Sequence, residues 1–100
     1  MDIVTDGPIV VLRGHLDGRS TYEVRNALHR QLAMPEHEIV VDLTGVESID
    51  VPALRVLAFA SHEAARTGHH VTLRGCGVAV RRMLHLTRLM RFVELEQTAA

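Results

Sequence analysis

The stretch from Asp42 to Phe59, DLTGVESIDVPALRVLAF, constrains this chain more than any other. Ile39 to Leu43 lead into it as a short, β-branched and almost continuously apolar run. Such a run suits a strand covered on both faces, or on one face with neighbours along each edge. Thr44-Gly45 punctuates that strand, and Val46 and Ile49 stand as apolar anchors either side of Glu47-Ser48. Asp50-Val51-Pro52 then opens a helix. Proline is tolerated in a first helical turn, where its missing N–H costs no hydrogen bond. The residue before a proline is pushed out of helical dihedrals, which predicts Val51 at the cap position itself.

Projected at about 100° per residue, this helix places Leu54, Leu57, Ala58, Ser61 and Ala65 on one face, the core face. Arg55, His62 and Arg66 fall opposite, and Phe59 falls among them. An aromatic inside a polar stripe has two readings. It is a single exposed apolar residue, which is common on protein surfaces, or an anchor of a partner-binding surface, where aromatics and arginines are favoured.

The rest of the chain alternates short apolar runs with amphipathic segments. Residues 2–13 read as a β-hairpin turning at Asp6-Gly7-Pro8, and residues 14–19 (GHLDGR) as a loop. Ser20 and Glu23 match a capping box for a first helix, whose inner face is Val24, Ala27, Leu28 and Leu32 and which Pro35 stops. Gly68 reads as the glycine just past the end of the central helix. Val71 to Leu73 form a strand and Gly75-Cys76-Gly77 a turn. Residues 78–89 form a third helix, Phe92 to Leu95 a last short strand, and Thr98 to Ala100 a frayed end. The order β-β-α-β-α-β-α-β predicts one mixed sheet, its first strand antiparallel and the rest parallel, with the helices on one face.

Length and composition narrow the function classes. One hundred residues, 47% of them apolar, allow one domain spanning 1–100 with one modest core. A net charge of −1 argues against a nucleic-acid binder driven by bulk charge. No apolar run approaches the ~18 residues of a membrane span, and the N-terminus lacks signal-peptide character. A soluble cytoplasmic protein follows as the expectation.

No constellation stands out for chemistry. Adjacent His69 and His70 would point to opposite faces of a strand and share no metal. His29, His62 and His85 lie on polar helix faces. No Gly-rich phosphate loop appears. Asp42 and Asp50 bracket the central loop, but no nucleophile motif accompanies them, and Asp50 is better read as an acid at the positive end of a helix dipole. The lone Cys76 has no disulfide partner. Arg81, Arg82, His85 and Arg88 form a basic stripe, read first as solvated surface. No catalytic residue, metal or cofactor is expected.

Three segments together resemble the STAS domain, the fold of bacterial anti-sigma-factor antagonists. They are Gly14-His15-Leu16-Asp17, the run from Asp42 to Leu54, and Val80 to Thr87. The likeness spans nearly the whole chain. It implies a non-enzymatic switch: an unphosphorylated antagonist binds an anti-sigma factor that is also a serine kinase, and phosphorylation of the serine just after the family aspartate breaks the complex. Here that segment departs from the pattern. Val51-Pro52-Ala53 stand where the family has Ser-Ser-Gly, so Val51 occupies the phosphoacceptor position without a hydroxyl. Thr44 and Ser48 are the nearest remaining hydroxyls. Arg88 stands at a position that is often glycine in the family.

The resemblance leads to a protein-interaction domain that binds an anti-sigma factor of the serine-kinase type. Asp17, Asp50, Val51, Arg55 and Phe59 are the expected partner-binding patch. A different use of the same fold is a cytoplasmic subunit bound to the ATPase of a lipid-transport complex. A third class, a nucleotide-binding or enzymatic domain, would need a phosphate cradle that the sequence does not display. The partner's identity and the oligomeric state are left open.

Overall fold

The computed structural model describes residues 2–34 and 38–96. Strand β1 (Asp2–Asp6) turns tightly through Gly7, at φ 57°, and Pro8 into β2 (Ile9–Leu16). Glycine at the first position of a two-residue hairpin loop accommodates that dihedral without a Cβ clash. Helix α1 (Thr21–Leu32) leads to β3 (Glu38–Ile49), and α2 (Val51–Arg66) to β4 (His70–Arg74). Helix α3 (Val78–Leu86) is followed by a 3-10 turn over Met90–Phe92 and the short β5 (Glu94–Leu95). The sheet runs β1-β2-β3-β4-β5, with β1 antiparallel to β2 and every later pairing parallel. That is the mixed sheet the element order predicts.

The core lies on one face. Val10, Leu12 and Leu16 of β2, Ile39, Val41 and Leu43 of β3, and Val71 and Leu73 of β4 are buried at alternate positions. Against them pack Val24, Ala27 and Leu28 of α1, Leu54, Leu57 and Ala58 of α2, and Leu84 of α3. Between the buried positions, Val11, Val40, Asp42 and Thr72 point to the other face and stay partly exposed.

Several local expectations fail for identifiable reasons. Thr44-Gly45 does not end β3, which continues to Ile49. The continuation is possible because β2 extends beside it to Leu16, two register shifts absorbing the mismatch around Gly14, at φ 93°. The loop expected at 14–19 thus shrinks to Asp17–Ser20. Ser20 forms no capping box. Its backbone is helical (φ −86°, ψ −14°), not extended as a cap requires, and its hydroxyl donates to the His15 carbonyl at 3.4 Å and to Asp17 Oδ1 at 3.3 Å. Val51 is not the cap of α2. It is the first helical residue, because Asp50 is extended (φ −93°, ψ 168°) and its carboxylate captures a free helix N–H. On α2 the inner face is completed by Ala64 and not by Ala65, which is exposed, and Ala53 is buried as well.

The helix ends are closed by backbone geometry. Gly68, at φ 88°, follows α2, with Gly68 N–H donating to Ala65 O at 3.3 Å and His69 N–H to Ala64 O at 3.0 Å. This pair of bonds is the Schellman closure, which places a left-handed residue just past the helix. The same two bonds close α3, from Arg88 to His85 O (3.2 Å) and Leu89 to Leu84 O (2.9 Å), and here the left-handed residue is Arg88, at φ 61°. The third helix therefore stops at Leu86, which is 78% exposed, and Leu89 enters the core in its place. Phe92 belongs to the 3-10 turn and not to the last strand. Pro35 and Thr98 to Ala100 lie outside the described residues.

Candidate functional site

The carboxyl ends of β2 and β3 meet at one end of the sheet, and Asp50 ties them together. Its Oδ1 accepts from the Ala53 N–H at 2.9 Å, capping α2. Its Oδ2 accepts from the Gly18 N–H at 3.2 Å, and its own N–H donates to the Leu16 carbonyl at 3.0 Å. One residue thus starts α2 and pins the turn after β2 against that start. Asp17 shapes the turn: its Oδ1 accepts from the Arg19 N–H at 2.9 Å, and its carbonyl accepts from the Ser20 N–H at 2.9 Å. The bond from the Arg19 N–H is the main reason the Asp17 carboxyl is held below its ordinary range.

Val51 and Pro52 form the first turn of α2, Val51 half-buried and Pro52 exposed. Ala53 is buried, so its methyl, which stands where the family has glycine, faces the core and does not obstruct a partner. Arg55 and Phe59 project outward one and two turns further on, Phe59 with 49% of its surface exposed. The Phe59 and Phe92 rings meet in a T-shaped arrangement at a centroid distance of 5.5 Å, and Phe92 also carries His62 at 5.0 Å and Arg91 at 4.7 Å. These contacts steady Phe59 without covering it.

Sequence reasoning missed the other wall of this surface. A groove of about 440 Å³ runs between α1 and α2. Pro52, Val56, Phe59 and Ala60 of α2 make its apolar floor, and Arg25 and His29 of α1 stand across from Arg55 and Glu63. The only signal for Arg25 and His29 was their place on the outer face of α1. Which helix lies alongside is decided by the sheet order.

The remaining hydroxyls sit elsewhere. Thr44 and Ser48 line a second concavity of about 390 Å³ between the end of β3 and α3. Ser48 Oγ lies 2.6 Å from His15 Nδ1, and His15 Nε2 lies 3.1 Å from Glu47 Oε2. This line of hydroxyl, imidazole and carboxylate arises because β2 and β3 pair His15 with Ser48. The His15 and Glu47 side chains are 68% and 70% exposed, and a solvated site gives none of the dry preorganisation on which electrostatic catalysis depends. Asp42 is bound by Thr44, whose hydrogen bonds lower its pKa. Burial pushes the Cys76 thiol up, away from thiolate reactivity, and the nearby Arg81 only partly opposes this. Among the described residues, no group of three or more His, Cys, Asp or Glu could hold a metal ion, and no helix is long and apolar enough to cross a membrane.

The family described as "Mlab, STAS domain" matches residues 2–95. The chain belongs to the STAS domain family. No curated protein matches it. Among solved structures, a Thermotoga maritima protein put forward as an anti-sigma factor antagonist is 24% identical, with a TM-score of 0.76, over 97% of this chain and 86% of that one. An anti-sigma factor antagonist from Mycobacterium paratuberculosis is 24% identical, with a TM-score of 0.74, over 96% and 83%. The Bacillus antagonist SpoIIAA, unphosphorylated, is 13% identical, with a TM-score of 0.68, over 98% and 88%. These likenesses show the fold: this STAS domain has the sheet and helices of structures described as anti-sigma-factor antagonists.

Proposed function

We propose that this STAS domain works by binding another protein, not by catalysis, and that its partner in the cytoplasm is an anti-sigma factor of the serine-kinase type. The partner-binding patch comprises Asp17, Asp50, Val51, Arg55 and Phe59. The observation that carries the reading is the continuity of this surface. The turn bearing Asp17 is hydrogen-bonded to Asp50 at the start of α2, and Arg55 and Phe59 share one groove that begins at Pro52. A half-exposed aromatic beside an arginine is the composition of an interface anchor. Val51 supplies no hydroxyl at the acceptor position, so the complex is not dissolved by phosphorylation there. The domain then acts as an antagonist that stays switched on, or as a scaffold set by its abundance.

The missing acceptor also favours a second reading, a cytoplasmic subunit bound to the ATPase of a lipid-transport complex, which needs no phosphoswitch. Affinity capture from the native host distinguishes the two. A kinase-type ATPase and a sigma factor support the first, and transporter subunits the second. In either complex Phe59→Ala is expected to weaken binding by about 1–2 kcal/mol. A variant that binds normally, or whose main effect is a lower melting temperature, removes Phe59 from the patch.

A further inference from the structure

The α1–α2 groove has a chemical character of its own, and it deepens the reading above, on which it rests for the identity of the partner. Its floor of Pro52, Val56, Phe59 and Ala60 repeats at helical spacing along α2. From Pro52 to Ala60 the floor extends about 12 Å, two turns of helix. The walls are basic from both sides, Arg25 and His29 on α1 and Arg55 on α2. Glu63 is the one acid in the lining, and Arg66 lies 3.5 Å from it. Among the described residues, no ion pair joins Arg25 or Arg55 to a carboxylate.

The backbone of the groove decides the shape of its occupant. Both walls are helices whose N–H and C=O groups bond internally along their length, so an extended peptide lying there would find no main-chain partners. A helix meets its own backbone needs and lays a ridge of side chains into the channel between two others. We infer that the α1–α2 groove receives an acidic amphipathic helix of the partner, its apolar stripe on Val56 and Phe59 and its carboxylates against Arg25 and Arg55. The basic stripe on α3 is the competing surface for an acidic segment. There Val78 and Leu86 are 75% and 78% exposed, and none of Arg81, Arg82, His85 and Arg88 lines the concavity between β3 and α3, so the stripe borders no channel that would bury an apolar ridge beside its charges.

The inference is tested on the full chain with a synthetic 18-residue helix-forming peptide. The peptide carries a leucine stripe flanked by glutamates, and a control replaces the glutamates with lysines. Backbone amide shifts of the isotopically labelled protein report the binding site. The glutamate peptide is expected to move the signals of Arg25, His29, Arg55 and Phe59, and to bind at least tenfold more tightly than the lysine peptide. The double variant Arg25→Glu/Arg55→Glu should lose about tenfold or more in affinity while its melting temperature stays unchanged. If that variant folds poorly, the wild-type protein in 50 and 300 mM salt gives the same information, because a charge-driven contact at an exposed rim weakens several-fold over that range. Absence of saturable shifts, shifts centred on Arg81, Arg82 and His85, or indifference to both charge reversal and salt would overturn the inference. Peptide binding in the groove together with failure to capture an anti-sigma factor would instead refute the proposed partner and leave the groove's chemistry standing.

Discussion

Asp50 is the residue whose removal tells most about how this end of the sheet is built. Its carboxylate makes two bonds, to the Ala53 N–H at 2.9 Å and to the Gly18 N–H at 3.2 Å. Replacing a capping Asp with Ala costs about 0.5–2 kcal/mol, and losing the second, solvent-exposed bond costs about 0.5–1.5 kcal/mol more. Asp50→Ala should therefore destabilise by about 2 kcal/mol, and a domain of this size should melt about 10 °C lower. Asp50→Asn separates the two bonds. Its amide oxygen caps as well as a carboxylate does, but its NH₂ would face the Gly18 N–H donor to donor, so it should cost about 1 kcal/mol. Urea unfolding of the wild type and both variants gives these differences from the midpoints. Amide exchange at Gly18 should quicken in both variants, and at Ala53 only in Asp50→Ala. If Asp50→Ala lies within 0.5 kcal/mol of the wild type, or Asn costs as much as Ala, the two-bond role of Asp50 is wrong.

Two further substitutions probe features away from the site. Arg88 sits at φ 61° in the closure of α3, where a side chain strains the backbone, so Arg88→Gly should raise stability by about 0.5–1 kcal/mol in urea unfolding; an unchanged or lower midpoint would contradict the strain. His70 bonds Glu94 and lies 3.8 Å from Glu38, and the Glu94 bond above all raises its pKa above the ordinary 6.5. Because the folded value is the higher one, its stabilising contribution is fully present below about pH 6.5 and fades as the pH climbs through the raised value. His70→Gln should therefore lag the wild type most in acid and least in mild alkali, and a gap independent of pH would show that the imidazole is not the source.

Much of the fold was legible in local pattern. The β-branched, almost continuously apolar run from Ile39 to Leu43 marked a strand, though not whether one face or both would be covered, and the spacing of Leu54, Leu57, Ala58 and Ser61 marked the inner side of α2. Both patterns survive because the same side chains that set local preference also fill the core. The ends of elements were less legible, since they depend on partners distant in sequence. Ile49 remains in β3 because Leu16 pairs with it, and the bulges that keep β2 in step have no signature beyond Gly14. Val51 reads as a cap from its proline neighbour alone. Asp50 takes that role because it can bond Ala53 and Gly18 at once, and Gly18 lies 32 residues away in the chain. Arg88 conceals a left-handed turn that glycine would have announced. In the candidate site, Asp17, Asp50, Val51, Arg55 and Phe59 were named from the motif and the helix projection, while Arg25 and His29 come into view only when α1 and α2 lie side by side.

Phosphorylation addresses the proposed function at its most specific point. A phosphate on the residue after Asp50 would place about −2 charge beside that carboxylate and break an interface by repulsion and desolvation. Val51 cannot accept one. The measurement is intact mass and complex formation after the protein is incubated with its cognate kinase-type anti-sigma factor and ATP. We predict an unchanged mass and a complex as stable with ATP as without it. A stoichiometric gain of one phosphate that dissolves the complex would contradict the proposal, and finding it on Ser48 or Thr44 would show that the switch has moved along β3 and has not been lost.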